Sequence, residues 1–93
     1  MGGMEIAFNK TAFKHSVSEA DIEWAITTAV YEKPKEGKTD TFLAVGYSRA
    51  GNPLEIGYRE FDDGSYYVFH AMKCQDRWLK EAGIGGYYGN GND

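Results

Sequence analysis

Cysteine is nearly absent from this chain, Cys74 being the only one. No internal disulfide can staple the fold, so its stability has to come from a packed core. Histidine is almost as scarce. His15 and His70 stand far apart, with no carboxylate at a recognised ligand spacing and a single cysteine in the chain, so no metal motif is expected. No apolar run approaches the ~18 residues that a membrane-spanning helix needs, nor the shorter apolar stretch of a secretory segment. Met1-Gly2-Gly3 lacks the Ser or Thr of a myristoylation signal, since position 6 is Ile6. A cytoplasmic protein is the expectation. Also missing is any excess of cations: 10 Lys and Arg against 14 Asp and Glu leave a formal charge of −4. That balance argues against a general affinity for nucleic acid while leaving room for a local basic patch.

What is present suits an ordered globule, because 42% of the residues are hydrophobic and 15% aromatic. With 93 residues there is material for one modest core and not for two. A single domain is therefore expected over residues 1–82. The stretch 83–93, GIGGYYGNGND, reads as a flexible glycine-rich tail. It lacks the Lys-Ser/Thr ending and following helix of a phosphate loop.

The strongest local signal lies between Leu54 and Lys73, LEIGYREFDDGSYYVFHAMK. Asp62-Asp63-Gly64 separates two runs rich in Tyr, Val, Phe and Ile, which predicts a β-hairpin, since Gly accepts the positive φ of such a turn. Strict alternation puts Leu54, Ile56 and Tyr58 on one face of the first strand, with Glu55, Gly57 and Arg59 on the other. In the second strand it groups Tyr67, Phe69 and Ala71 against Tyr66, Val68, His70 and Met72.

The remaining elements follow in order. Met4 to Phe8 alternates like a first strand. Asn9 or Thr11 could cap a short turn that sets Phe13 against the core. Ser18-Glu19-Ala20-Asp21 has the form of a capping box, and Val17 and Ile22 have the spacing of a hydrophobic staple. Ile22, Ala25, Ile26 and Ala29 then make a buried helical stripe, with the helix ending near Val30 or Tyr31. Glu32 to Asp40, EKPKEGKTD, reads as an exposed loop. Thr41 to Ser48 is a strand and Arg49 to Asn52 a turn, after which Pro53 opens the hairpin where its missing N–H is tolerable. Gln75 to Ala82 is helical, with Trp78, Leu79 and Ala82 on one side, and Gly83 stops it. Strand, helix, three antiparallel strands and helix make an α+β domain. Its antiparallel meander is covered by two helices in two layers.

For chemistry, Cys74 beside Lys73 can be read as an activated thiol, but no base partner accompanies it, and an ordinary buried cysteine is the simpler reading. The cationic set Lys14, His15, Arg49, Arg59, His70, Lys73 and Arg77 offers more. RNA cleavage by internal attack of a 2′-hydroxyl needs a base, an acid for the leaving 5′ oxygen and cations on the phosphate, and these residue types supply all three. His15, His70 and Lys73 are the candidate catalytic residues. Lys14, Arg49, Arg59 and Arg77 are the candidate substrate contacts, and no cofactor is required. Each of them also has a plainer reading as a surface cation, a turn residue or a hydrogen-bonded histidine.

Several short motifs carry a resemblance. Lys14-His15-Ser16-Val17 is similar to a Lys-His-Gly-Val opening, with Ser16 in place of Gly. Arg49, Gly51, Pro53, Leu54 and Ile56 are similar to an Arg-x-Gly-Arg-Leu-Leu-x-Val segment, with Asn52 in place of the second Arg. His70-Ala71-Met72-Lys73 stands where a Ser-Ala-Arg stretch is usual. Over residues 4–82 the chain thus resembles the BrnT-like toxins of the RelE/ParE-type toxin–antitoxin superfamily, in a subgroup of actinobacterial proteins with a His-Ala-Met signature. The resemblance implies a RelE-like fold, a ribonuclease activity with or without the ribosome, and inhibition by a partner antitoxin. It places Lys14 and His15 in the opening motif and Lys73 and Arg77 among the basic C-terminal residues. The competing expectation is a catalytically inactive RelE-fold module that binds a protein through exposed aromatics such as Tyr58, Tyr66 and Tyr67.

Overall fold

The computed structural model describes residues 5–84. Met4 of the expected first strand and most of the expected tail, from residue 85 on, lie outside the described residues. Ile6–Phe8 forms β1, followed by a 3-10 helix at Lys10–Phe13 and the α-helix α1 at Glu19–Thr27. Four strands come next: β2 Tyr31–Pro34, β3 Thr41–Tyr47, β4 Pro53–Glu60 and β5 Tyr66–Lys73. The helix α2, Asp76–Glu81, closes the series. The sheet order is β1-β5-β4-β3-β2, with β1 parallel to β5 and every other pair antiparallel. No helix among the described residues is long and apolar enough to cross a membrane.

The capping box is half realised. Ser18 accepts a hydrogen bond from the Asp21 N–H at 3.2 Å, but the Asp21 carboxylate does not reach back. It accepts instead from Arg49, through the backbone N–H at 3.0 Å and Nε at 2.8 Å. Those bonds hold its pKa below the usual carboxylate range. The helix stops at Thr27, before the expected Val30 or Tyr31. Thr27 and Thr28 turn their hydroxyls back onto the carbonyls of Glu23 and Trp24, a local alternative to further helix.

Ile22, Ala25 and Ile26 bury the inner stripe of α1 against Ala44, Leu54, Ile56, Tyr58, Val68 and Ala71 of the sheet. Gly46 lets the helix sit directly on β3: a Cβ there would fall 1.8 Å from the Ala25 carbonyl oxygen. Ala12 is the buried residue of the 3-10 helix, capped by Asn9. Phe13, expected against the core, is largely exposed and leans on Phe8 with ring centroids 5.4 Å apart.

Three expectations need correction. The segment expected as a loop from Glu32 begins as the edge strand β2, where Tyr31 to Pro34 pair with Val45 to Phe42. Its polar side chains gave no apolar pattern because they are satisfied in tertiary structure: Glu32 accepts from the buried Tyr58 hydroxyl, and Lys33 lies over the Trp78 ring. The two helices also do not share a face. Gln75 at the start of α2 bonds Glu55, and Glu81 at its end bonds Tyr31 and Lys33, all on the sheet face opposite α1. The core is therefore a two-layer pairing of sheet and α1, with α2 crossing one end of the other face. Finally, of the three tyrosines expected to be exposed, Tyr58 is buried, while Tyr66 and Tyr67 are half-buried. Tyr58 is stacked between Phe42 and Tyr66, and Tyr67 is bonded through its hydroxyl to Asn9. Burial, followed by the Glu32 carboxylate, pushes the Tyr58 phenol well above its ordinary range.

The expected hairpin turn is present. Asp63 accepts from the Ser65 N–H at 2.9 Å, and Gly64 takes a φ of +86° that a side chain would resist. Alternation breaks within β5, however. The ladder pairs Tyr58 with Val68 but Gly57 with His70, leaving Phe69 as the extra residue of a β-bulge.

Candidate active site

The bulge builds the site. An unbroken register would set His70 opposite Ile56, on the core face. The extra residue turns both Phe69 and His70 toward the face that carries Glu55 and Gly57. The chain after β1 runs alongside this bulge, with the Thr11 hydroxyl donating to the Phe69 carbonyl at 2.7 Å. This contact delivers Lys14 and His15 to the same place. The imidazoles of His15 and His70 meet edge to face with centroids 6.0 Å apart.

His70 is fixed from behind. Its Nε2 lies 2.9 Å from an oxygen of Glu55, a carboxylate only 2% exposed. Glu55 also accepts from the Gln75 backbone N–H at 2.9 Å and from the Gln75 side-chain amide. Burial works against its charge, but the bonds from His70 and Gln75 win and lower its pKa. An ionised carboxylate can only accept, so Nε2 of His70 carries the proton. The lone pair of the neutral ring is then at Nδ1.

Around the pair opens a cleft of about 990 Å³ whose lining includes Lys14, Lys33, Lys35 and Arg77. Two carboxylates, Glu36 and Glu55, line it as well, and Lys33 is paired with Glu81, so the excess of cations in the cleft is modest. Of the residues expected to act, Lys14, His15, His70 and Arg77 line it together. The other three do not. Lys73 pairs with Leu54 and lines a second concavity with Cys74, Asp76 and His15, and it is not among the residues lining the cleft around His70. Arg49 is engaged by Asp21 in the β3–β4 turn. Arg59 is held by Asp40 at 2.8 Å, across the ladder from Thr41 at the other end of β4. Opposite charges drew these two arginines into local ion pairs, which composition alone does not reveal.

Cys74 is buried at the end of β5, which does not fit the reading of an activated thiol. Burial, then the nearby Glu55 and Asp76, push its thiol up to about 12, and Lys73 does not offset them. Among the described residues no group of three or more His, Cys, Asp and Glu side chains could hold a metal ion.

Sequence reasoning missed Glu55, Phe69, Gln75, Trp78, Lys33 and Lys35 as site residues. Only Glu55 left a trace, as a carboxylate set between the apolar Leu54 and Ile56 of β4. In comparisons with known proteins, no family model, no curated protein and no solved structure matches this chain.

Proposed function

We propose that the protein is a toxin-like ribonuclease that cleaves RNA by acid–base chemistry at the His15–His70 pair. The observation that carries this reading is the convergence of the two imidazoles in a cationic cleft, one of them backed by a buried carboxylate. Nδ1 of His70 removes the proton of a ribose 2′-hydroxyl. Glu55 stabilises the imidazolium that forms, as the acid does in a Ser-His-Asp triad. The 2′ oxygen attacks the adjacent phosphorus while His15 protonates the departing 5′ oxygen. The products are a 2′,3′-cyclic phosphate and a free 5′-hydroxyl. Lys14 and Arg77, both expected as substrate contacts, neutralise the charge that builds on the phosphate without Lys73, Arg49 or Arg59.

Two features support the BrnT-like and RelE-like assignment, and with it a partner antitoxin. Strands β2 to β5 form the antiparallel meander that a RelE-like reading expects, although β1 adds to it in parallel and the two helices lie on opposite faces. Ser16, at the position where the resembled motif has glycine, has a φ of +65°. That is the left-handed region glycine enters without strain.

The test is cleavage of a ribo-oligonucleotide by purified protein. Expected are products ending in 2′,3′-cyclic phosphate, and a rate loss of about 10²–10⁴-fold for His15→Ala and for His70→Ala. Unchanged cleavage in both variants would sink the assignment. Binding without cleavage would leave the inactive interaction module as the better reading.

A further inference from the structure

The bulge that turns His70 into the cleft turns an aromatic ring with it. Phe69 stays outside the hydrophobic core, which is packed instead by Phe8, Phe42, Tyr58 and Tyr66. Its ring rests on Gly57: a Cβ built there would come within 3.0 Å of Cε1 and 3.3 Å of Cζ. A side chain at position 57 would press on that ring and on the His70 Cβ, 3.1 Å away, and both would have to give by a few tenths of an ångström. A glycine inside a strand weakens it and a bulge gives up ladder pairing, and both occur where a ligand approaches closely. Across the same cleft stands Trp78, with Lys33 Nζ 5.1 Å and the Arg77 guanidinium 4.7 Å from its ring centroid. Aromatic faces set among cations are the two ingredients of single-strand binding, one for bases and one for the backbone.

We propose that Phe69, seated on Gly57 beside His70, forms a nucleobase subsite that stacks the base of a nucleotide adjoining the scissile phosphate. The proposal rests on the ribonuclease reading for the kind of strand bound. Bases in a duplex already have their faces covered by neighbours, so this subsite selects unpaired nucleotides. Stacking has no hydrogen-bond code, so it tolerates all four bases.

The experiment uses the full chain carrying Trp24→Phe, which replaces a half-exposed residue on α1 and leaves Trp78 as the sole tryptophan. Quenching of its fluorescence reports binding of a 2′-deoxy oligonucleotide, which cannot be cleaved by 2′-hydroxyl attack. An abasic nucleotide is walked through that oligonucleotide. One position is expected to weaken binding by about tenfold. That penalty should vanish in Phe69→Leu and persist in Phe69→Tyr. No binding, no penalty at any position, or the same penalty in Phe69→Leu overturns the subsite. If Phe69→Leu does not fold, the walk on the otherwise unchanged chain together with Phe69→Tyr decides. RNA cleavage is measured separately. A penalty without cleavage keeps the subsite and removes the ribonuclease, and cleavage without a penalty does the reverse.

Discussion

Glu55 and His70 are joined by a 2.9 Å hydrogen bond on the floor of the cleft, and the same carboxylate takes the backbone N–H of Gln75 at the start of α2. One buried charge therefore sets both the histidine ring and the helix that carries Arg77 and Trp78. Burying a carboxylate is costly unless its lone pairs are used, and here both oxygens are bonded.

Glu55→Gln should cut RNA cleavage by at least about tenfold, because an amide no longer fixes which ring nitrogen of His70 holds the proton. The fold should respond to pH as well. The native pKa of Glu55 is lowered, so its stabilisation is complete above the unfolded value of roughly 4.3 and is lost as pH falls through the native value. Urea unfolding at pH 7 and pH 3 should show a larger acid loss for the wild type than for Glu55→Gln. Equal losses would mean that Glu55 gains nothing from His70 and Gln75.

Ser16 sits in left-handed backbone next to His15. A non-glycine residue there is strained by about 1 kcal/mol or more, so Ser16→Gly should raise the unfolding free energy by about 1 kcal/mol. In a domain of this size that is about 4–8 °C in Tm. A calorimetric scan showing no rise would mean the seryl side chain compensates for its backbone.

Gly46→Ala should do the opposite, and more strongly. The new methyl would occupy the place of the Ala25 carbonyl, so α1 must move off β3. Overpacking against backbone has no flexible side chain to yield, and a loss of about 3 kcal/mol is expected from denaturant titration.

Two arginines separate binding from bulk charge. Arg77→Ala removes a cleft cation and should weaken RNA binding while lowering the salt dependence by roughly one unit of slope. Arg59→Ala breaks an exposed pair with Asp40 at the other end of β4 and should leave both unchanged. Identical effects from the two substitutions would place RNA outside the cleft.

Cys74 should resist alkylation. With its thiol buried and its pKa pushed up to about 12, little thiolate exists at pH 8, and iodoacetamide should label it only after unfolding. Rapid labelling of the native protein would show that β5 frays at its end.

The parts of the fold legible in the sequence are those fixed by neighbours along the chain. Ser18 marks the start of α1 because a hydroxyl can reach the N–H three residues on. Gly64 marks the hairpin because its φ is positive. Gly83 ends α2, its N–H on the Lys80 carbonyl and that of Ile84 on the Leu79 carbonyl. The inner stripe of α1 follows from helical period and apolar side chains alone. Lys14, His15, His70 and Arg77 were likewise nameable from residue chemistry, because few side chains can move protons or grip phosphate near neutrality.

Tertiary structure decided the rest. β2 became a strand because β3 offered it a ladder and Tyr58 a partner for Glu32, interactions that leave no mark on the local pattern. Ion pairs with Asp21 and Asp40, formed only on folding, engage Arg49 and Arg59 outside the cleft. The face of His70 depended on one unpaired residue: period-two alternation assigns it to the core, and the bulge at Phe69 reverses that assignment. A bulge is a property of how two strands register, so the sequence supplied the histidine and only strand pairing put it in the cleft.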